Sequence, residues 1–213
     1  MRMSEDGRIG LAEGDPDPAE TVAQALVRFS PRQVTLEPGE IQTVRLQLRK
    51  PADLAAGEYR IHLVLREVPD VVEPPGGDTA PASAMSIELT PVYGICIPLI
   101  VRQGETEATV SLSNMRLISA SAKDAAPRLA FTIHRHGNRS VYGDLQATAL
   151  GPDGKARVIG LQKGLAVYVP NATRNVDMPL ALALDARAIA STIHLSYVSG
   201  DGQLLAATDL ATR

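Results

Sequence analysis

The sequence predicts an all-β protein made of two β-sandwich domains, and three observations carry that expectation. Apolar residues recur with a period of two in many short runs. Turn-forming residues punctuate those runs. The length, 213 residues, suits two sandwiches of roughly 100 residues each.

The runs can be taken in order. Val44, Leu46 and Leu48 alternate with Thr43, Arg45 and Gln47, which is the pattern of a strand with one face buried. Tyr59, Ile61, Leu63 and Leu65 alternate with Arg60, His62 and Val64. Met85, Ile87 and Leu89 alternate with Ser86, Glu88 and Thr90, and Ala108, Val110 and Leu112 with Thr109, Ser111 and Ser113. Leu129 to Ile133, Val167 to Val169 and Ile193 to Val198 continue the pattern. Glu37-Pro38-Gly39-Glu40, Pro152-Asp153-Gly154 and Gly200-Asp201-Gly202 supply tight turns. Gly160-Leu161-Gln162-Lys163-Gly164 has no helix after it and is expected to be a hairpin turn rather than a phosphate loop. A short helix over Pro18 to Leu26 is entered at Asp17, and Ala-rich Leu182 to Ala190 leaves helix and non-helix open. Pro69 to Ala82, rich in Pro and Gly, reads as a loop between two strands. The domain boundary is placed at Arg102-Gln103-Gly104-Glu105, giving domains 1–103 and 104–213.

Composition excludes several function classes. The net charge is −3, with 21 basic residues scattered among 24 acidic ones and no basic run. Nucleic-acid binding through clustered charge is therefore not expected. The lone Cys96 can form no internal disulfide and belongs to no zinc-binding cluster, so it reads as a small apolar residue of a buried strand. No apolar run reaches the roughly 18 residues of a membrane helix, and Met1 to Gly14 lacks the apolar stretch of a signal peptide. His134 and His136 share a strand face but lack a third ligand, so they read as solvent-facing residues rather than a metal site. Asp6, Glu13, Asp15 and Asp17 form an acidic stretch, a solvated loop or a weak calcium site. No nucleophile elbow, phosphate loop or dinucleotide fingerprint is present. No catalytic residue, metal or cofactor is expected.

Met85 to Arg102 is unusually long and apolar. In its second half Tyr93, Ile95, Ile97, Leu99 and Val101 fall on one face, and Val92, Cys96 and Ile100 on the other. Such a strand should be buried on both sides. Yet Pro91 and Pro98 cannot donate ladder bonds, which favours a sheet edge. An edge strand covered by a partner and a central strand with bulges at the prolines both fit.

Phe29-Ser30-Pro31-Arg32-Gln33-Val34-Thr35-Leu36-Glu37-Pro38-Gly39-Glu40-Ile41-Gln42-Thr43-Val44-Arg45 resembles the signature of the periplasmic pilus-assembly chaperones. Gly57 to Leu63 resembles the family's next strand, and Ile97 to Arg102 the end of its last first-domain strand. The resemblance implies a non-enzymatic chaperone with an immunoglobulin-like first domain and an accessory second sandwich. It implies periplasmic residence, pilin-like subunits as clients and an outer-membrane usher as a further partner. The client would be bound by donor-strand complementation, with Met85, Ile87, Leu89 and Tyr93 as the donor side chains. The family also anchors the client's terminal carboxylate with two basic residues. One such position falls at or near Pro98, where Arg102 is the basic residue at hand, and the other has no counterpart. The family's signal peptide and first two strands have no counterpart either, so the first sandwich is expected to be incomplete and to expose the core side of its remaining strands, which leaves it unstable alone, a homodimer through exposed edge strands, or completed by another strand. A structural sandwich subunit of a surface appendage and a carbohydrate-binding module are the alternatives, and the second is disfavoured by the scarcity of aromatics.

Overall fold

The computed structural model describes residues 1–11, 14–69, 89, 91–120, 126–150, 154–181 and 192–211. The described chain is all-β with one short helix. The first half contains β1 (Arg2–Met3), β2 (Ile9–Gly10), α1 (Pro18–Leu26), β3 (Val27–Ser30), β4 (Arg45–Leu48), β5 (Gly57–Arg66) and β6 (Gly94–Gln103). The second half contains β7 (Ala108–Ile118), β8 (Arg128–Gly137), β9 (Val141–Leu150), β10 (Ala156–Val167), β11 (Thr173–Pro179), β12 (Thr192–Ser199) and β13 (Leu204–Ala211). No helix among the described residues is long and apolar enough to cross a membrane.

The second half is a complete sandwich. A three-stranded sheet, β11-β8-β7, faces a four-stranded sheet, β10-β9-β12-β13. Strands β9 and β12 pair although β10 and β11 lie between them in sequence, so the connections cross from sheet to sheet as in a Greek key. This is an immunoglobulin-type sandwich with its fourth strand paired in the second sheet. Alternation explains the core. Leu145, Ala147 and Ala149 of β9 point inward together with Ile193, Leu195 and Tyr197 of β12, and they meet Leu129, Phe131 and Ile133 of β8 and Val176 and Met178 of β11. Tyr197 is fully buried, and its hydroxyl donates to the Leu165 carbonyl at 2.7 Å, which removes the cost of an unbonded buried hydroxyl.

Residues 160–164, expected to turn, instead lie inside β10. The glycines accommodate register irregularities between Val158 and Gly160 and between Gln162 and Leu165, so the strand bends without reversing. Gly160 also leaves room for the side chains of Leu180 and Met178.

The first half is built differently. α1 starts as its sequence dictates: the Asp17 side chain accepts from Ala19 N at 2.8 Å, Asp17 N donates to Glu20 at 3.0 Å, and Pro18 occupies the first turn. The chain leaves the helix directly into β3, which pairs with β4 in a two-stranded ladder. The turn at Glu37 to Glu40 forms as expected, with Glu40 N donating to Glu37 O at 2.9 Å. β5 and β6 make a second ladder of ten residue pairs without a register shift. Each ladder has one apolar face, Val27, Phe29, Leu46 and Leu48 in one and the odd-numbered residues of β5 and β6 in the other. The described residues close neither into a sandwich: Leu46, Leu48 and Leu65 are all exposed.

The β1–β2 hairpin belongs structurally to the second half. Met3 lies in that sandwich's core, Asn171 Nδ2 donates to Met3 O at 2.8 Å, and Asn175 N donates to Glu5 O at 2.7 Å. Gly7, with φ of 84°, passes so close to the Arg174 guanidinium that a Cβ would collide with it.

Burial this unequal predicts unequal sensitivity. Leu195→Ala is expected to lower the unfolding free energy by about 2–5 kcal/mol in urea melts. Ile95→Ala, on the open ladder, is expected to change it by about 0.5 kcal/mol or less.

Candidate binding edge and cleft

The phase of the β5–β6 ladder follows from one bond just beyond it. Glu67 N donates to Tyr93 O at 2.9 Å, and these two residues continue the register that pairs Leu65 with Ile95. In an antiparallel ladder, bonded and non-bonded pairs alternate. The odd-numbered residues of β6 therefore bond to β5, and the amides of Gly94, Cys96, Ile100 and Arg102 point to the outer edge. On the other strand, Glu58 N donates outward to Asn138 O at 2.9 Å, in agreement with this phase. Among the described residues no strand pairs with the outer edge of β6.

Side-chain alternation gives this ladder two unlike faces. Tyr59, Ile61, Leu63 and Leu65 stand opposite Val101, Leu99, Ile97 and Ile95, all apolar. Ile95 is 66% exposed. The other face carries Glu58, Arg60 and His62 opposite Arg102, Ile100 and Pro98. Cys96 lies on this second face and is exposed, contrary to the buried position expected from its apolar neighbours. The reason is that no second layer covers β6 among the described residues. Pro98 lies in an unbroken register with β5, so no bulge stands at this proline, and among the described residues β6 is an edge strand.

The four sheet edges of the second half are defended. β10 and β7 carry irregularities, β11 ends at Pro179, and β13 presents Asp209 bonded to His194 at 2.7 Å. From Gly94 to Val101, β6 has neither charge nor bulge.

Where β5 meets the second sandwich lies a cleft lined by Arg2, Glu20, Glu58, Arg60, His62 and Tyr168. The Arg60 guanidinium sits 3.5 Å from the centre of the Tyr168 ring, a cation–π contact across the two halves. Arg2 bonds Glu20 at 2.6 Å, and that pairing holds the Glu20 carboxyl below its ordinary range. Partial burial, with the nearby Arg60 charge, pushes the His62 imidazole below its ordinary pKa.

The joint behind the cleft is polar and saturated. The Glu58 side chain is fully buried, pairs with Arg102 at 3.1 Å and accepts from the Ser140 hydroxyl. The Asn138 side chain donates to the carbonyls of Ala56 and Glu105, both at 3.2 Å, and accepts from Glu107 N at 2.9 Å.

Of the side chains expected to donate a strand, Met85 and Ile87 lie outside the described residues. Leu89 and Tyr93 are 86% and 73% exposed and precede β6, and Tyr93 continues its register through the bond from Glu67 N. Arg102, the expected carboxylate anchor, is engaged by Glu58. Sequence reasoning missed Arg60 and Tyr168. Arg60 looked like any polar residue of an alternating strand, and its partner comes from the other half of the chain. His134 and His136 sit on β8, where the His134 Nε2 lies 2.7 Å from Ser113 Oγ, and no group of three metal-binding side chains stands together among the described residues. In the acidic stretch Asp6 bonds Ser4 and Arg8, while Asp17 caps α1.

No family model and no curated protein matches this chain. Among solved structures, the crystal structure of DesR, a β-glucosidase from Streptomyces venezuelae in complex with D-glucose, overlaps 52% of this chain and 16% of its own, at 12% identity and a TM-score of 0.34. An overlap so small and so loose bears on neither fold nor function.

His62 gives this region a pH signature. Because folding lowers its pKa, the unfolded chain takes up the proton first as pH falls. Its contribution is fully present above the ordinary imidazole pKa of about 6.5 and declines as pH drops below that value. The difference in melting temperature between the parent and His62→Gln is expected to shift against the parent from pH 7.5 to 5.5. A difference that stays constant over this range contradicts the assignment.

Proposed function

We propose that this chain is a non-enzymatic chaperone that holds an incomplete β-sandwich protein subunit by strand pairing along β6 and the segment before it. The observation that carries the proposal is the outer edge of β6. It is apolar, free of bulges and charges up to Val101, and backed by a wholly apolar ladder face, while every edge of the neighbouring sandwich is defended. Backbone groups on an open edge give affinity for an extended segment, and alternating side chains give specificity. In the sequence Met85, Ile87, Leu89 and Tyr93 have the same odd-numbered spacing as Ile95 and Ile97, so an extended segment would supply the inserted side chains from one face.

The resemblance to pilus-assembly chaperones supplies the partner class, pilin-like subunits, with an outer-membrane usher as a second partner and the periplasm as the compartment. Within that reading, the terminal carboxylate of the client falls to Arg60 rather than Arg102. Arg102 is neutralised by Glu58, whereas Arg60 faces the cleft with Tyr168 and His62 and makes no described ion pair. A guanidinium stacked on an aromatic ring presents its N–H edge outward, and the N–H groups not turned to His62 Nε2, 3.4 Å from Arg60 Nη2, can meet a planar carboxylate.

A second reading is favoured by one observation. The apolar faces of the β3–β4 and β5–β6 ladders both keep large side chains exposed, Leu46 and Leu48 in one and Leu65, Ile95 and Ile97 in the other, as they would be in an appendage subunit that receives a strand instead of giving one.

Capture of incomplete-sandwich subunits by the tagged chain distinguishes these readings. Leu89→Asp/Ile95→Asp is expected to reduce recovery at least tenfold while the circular dichroism of the chain is unchanged. Arg60→Ala is expected to weaken clients with a free terminal carboxylate and to spare clients extended by a C-terminal tag. If the double variant retains its subunits, strand pairing along β6 is excluded. If the chain assembles into ladders of its own kind, the appendage reading replaces the chaperone.

A further inference from the structure

We propose that Pro98 is a break built into the outer edge of β6, which keeps two copies of this chain from pairing through that strand. The proposal stands on the geometry of the edge and does not rest on the strand-pairing reading above.

The phase of the ladder makes Pro98 specific. Its pairing partner is His62, and the 98–62 pair is one of the non-bonded pairs, so the missing N–H of Pro98 would have pointed outward. A proline at Ile97 or Leu99 would have removed a bond to β5. At 98 it leaves the ladder intact and deletes only the central donor of the free edge, between Cys96 and Ile100.

In a symmetric antiparallel pairing of two β6 strands centred on residue 98, both central hydrogen bonds would be donated by residue 98 itself, and both are absent. Any other register that runs through Pro98 leaves one carbonyl unbonded for each copy. Otherwise little in β6 opposes self-pairing. In the centred register Ile97 meets Leu99, Ile95 meets Val101, and Arg102 meets Gly94, so no like charges face each other. An apolar edge of this kind is a template for association unless something interrupts it.

The test uses the full chain and three variants in sedimentation velocity over a concentration series. Pro98→Val restores the donor, and Pro98→Ala restores it with a smaller side chain. Pro98→Val/Ile100→Pro moves the break to the next outward amide. The expected order is a parent and a double variant that remain monomeric over a range where both single variants dimerise, with dimer dissociation constants at least tenfold lower than the parent's. Amide exchange should slow at Cys96 and Ile100 in the dimers. The proposal is overturned if neither single variant associates more tightly than the parent, if the parent itself dimerises through β6, or if the double variant associates as the single ones do. Loss of subunit capture in the preceding experiment would leave this ordering untouched, and failure here would leave a positive capture result standing.

Discussion

Aliphatic burial is nearly all that can stabilise this chain, and strands deliver it only when a second layer covers them. With no Trp and only Phe29 and Phe131, there are few large aromatic surfaces to anchor a small core. The second half meets the requirement by placing two sheets face to face, so that inward positions of β8, β9, β11 and β12 are removed from water together. The first half has strands of the same amphipathic kind and does not meet it among the described residues. Its ladders keep Leu46, Leu48, Ile95 and Ile97 exposed. The candidate binding surface is a consequence of this imbalance: an apolar ladder, held rigidly at one end, with nothing described on its far edge.

What holds that ladder is polar. The β5 strand is fastened to the second sandwich through Glu58, Ser140 and Asn138, and Arg102 at the end of β6 closes on the same carboxylate. A buried carboxylate is tolerated only when it is paired and fully bonded. Here the carboxylate stands on β5 and its bonding partners come from β6 and the segment between β8 and β9. The carboxylate thus serves to orient the two halves, and it places Arg60 over Tyr168. The cleft and the open edge are in this sense two parts of one arrangement.

Much of this was legible in the sequence, and the reasons are local. Asp17-Pro18-Ala19-Glu20 is a helix start by side-chain chemistry alone. Pro38-Gly39 turns as its backbone preferences require. The alternation of Tyr59 to Leu65 and of Ile193 to Val198 gave strands in the right places. β9 was missed because its inward positions include Gly143, Ala147 and Ala149, too small to register as an apolar stripe. The centre of β10 was misread because glycines that permit a bulge also permit a turn. For the site, the apolar register of the β6 segment was legible, but the exposure of Cys96 was not, since burial depends on a layer that the strand itself does not encode. The Arg60–Tyr168 contact joins the two halves and leaves no mark in either local sequence.

Residue-resolved amide hydrogen exchange reports whether the outer edge of β6 is open. In the free protein the account predicts alternation along the strand. Ile95, Ile97, Leu99 and Val101 should exchange slowly, because their amides bond to β5, while Cys96, Ile100 and Arg102 should exchange fast. Addition of a captured subunit should slow the outward amides that it pairs with. Uniform slow exchange along β6 in the free protein would contradict the account, because it would mean that the edge is already paired.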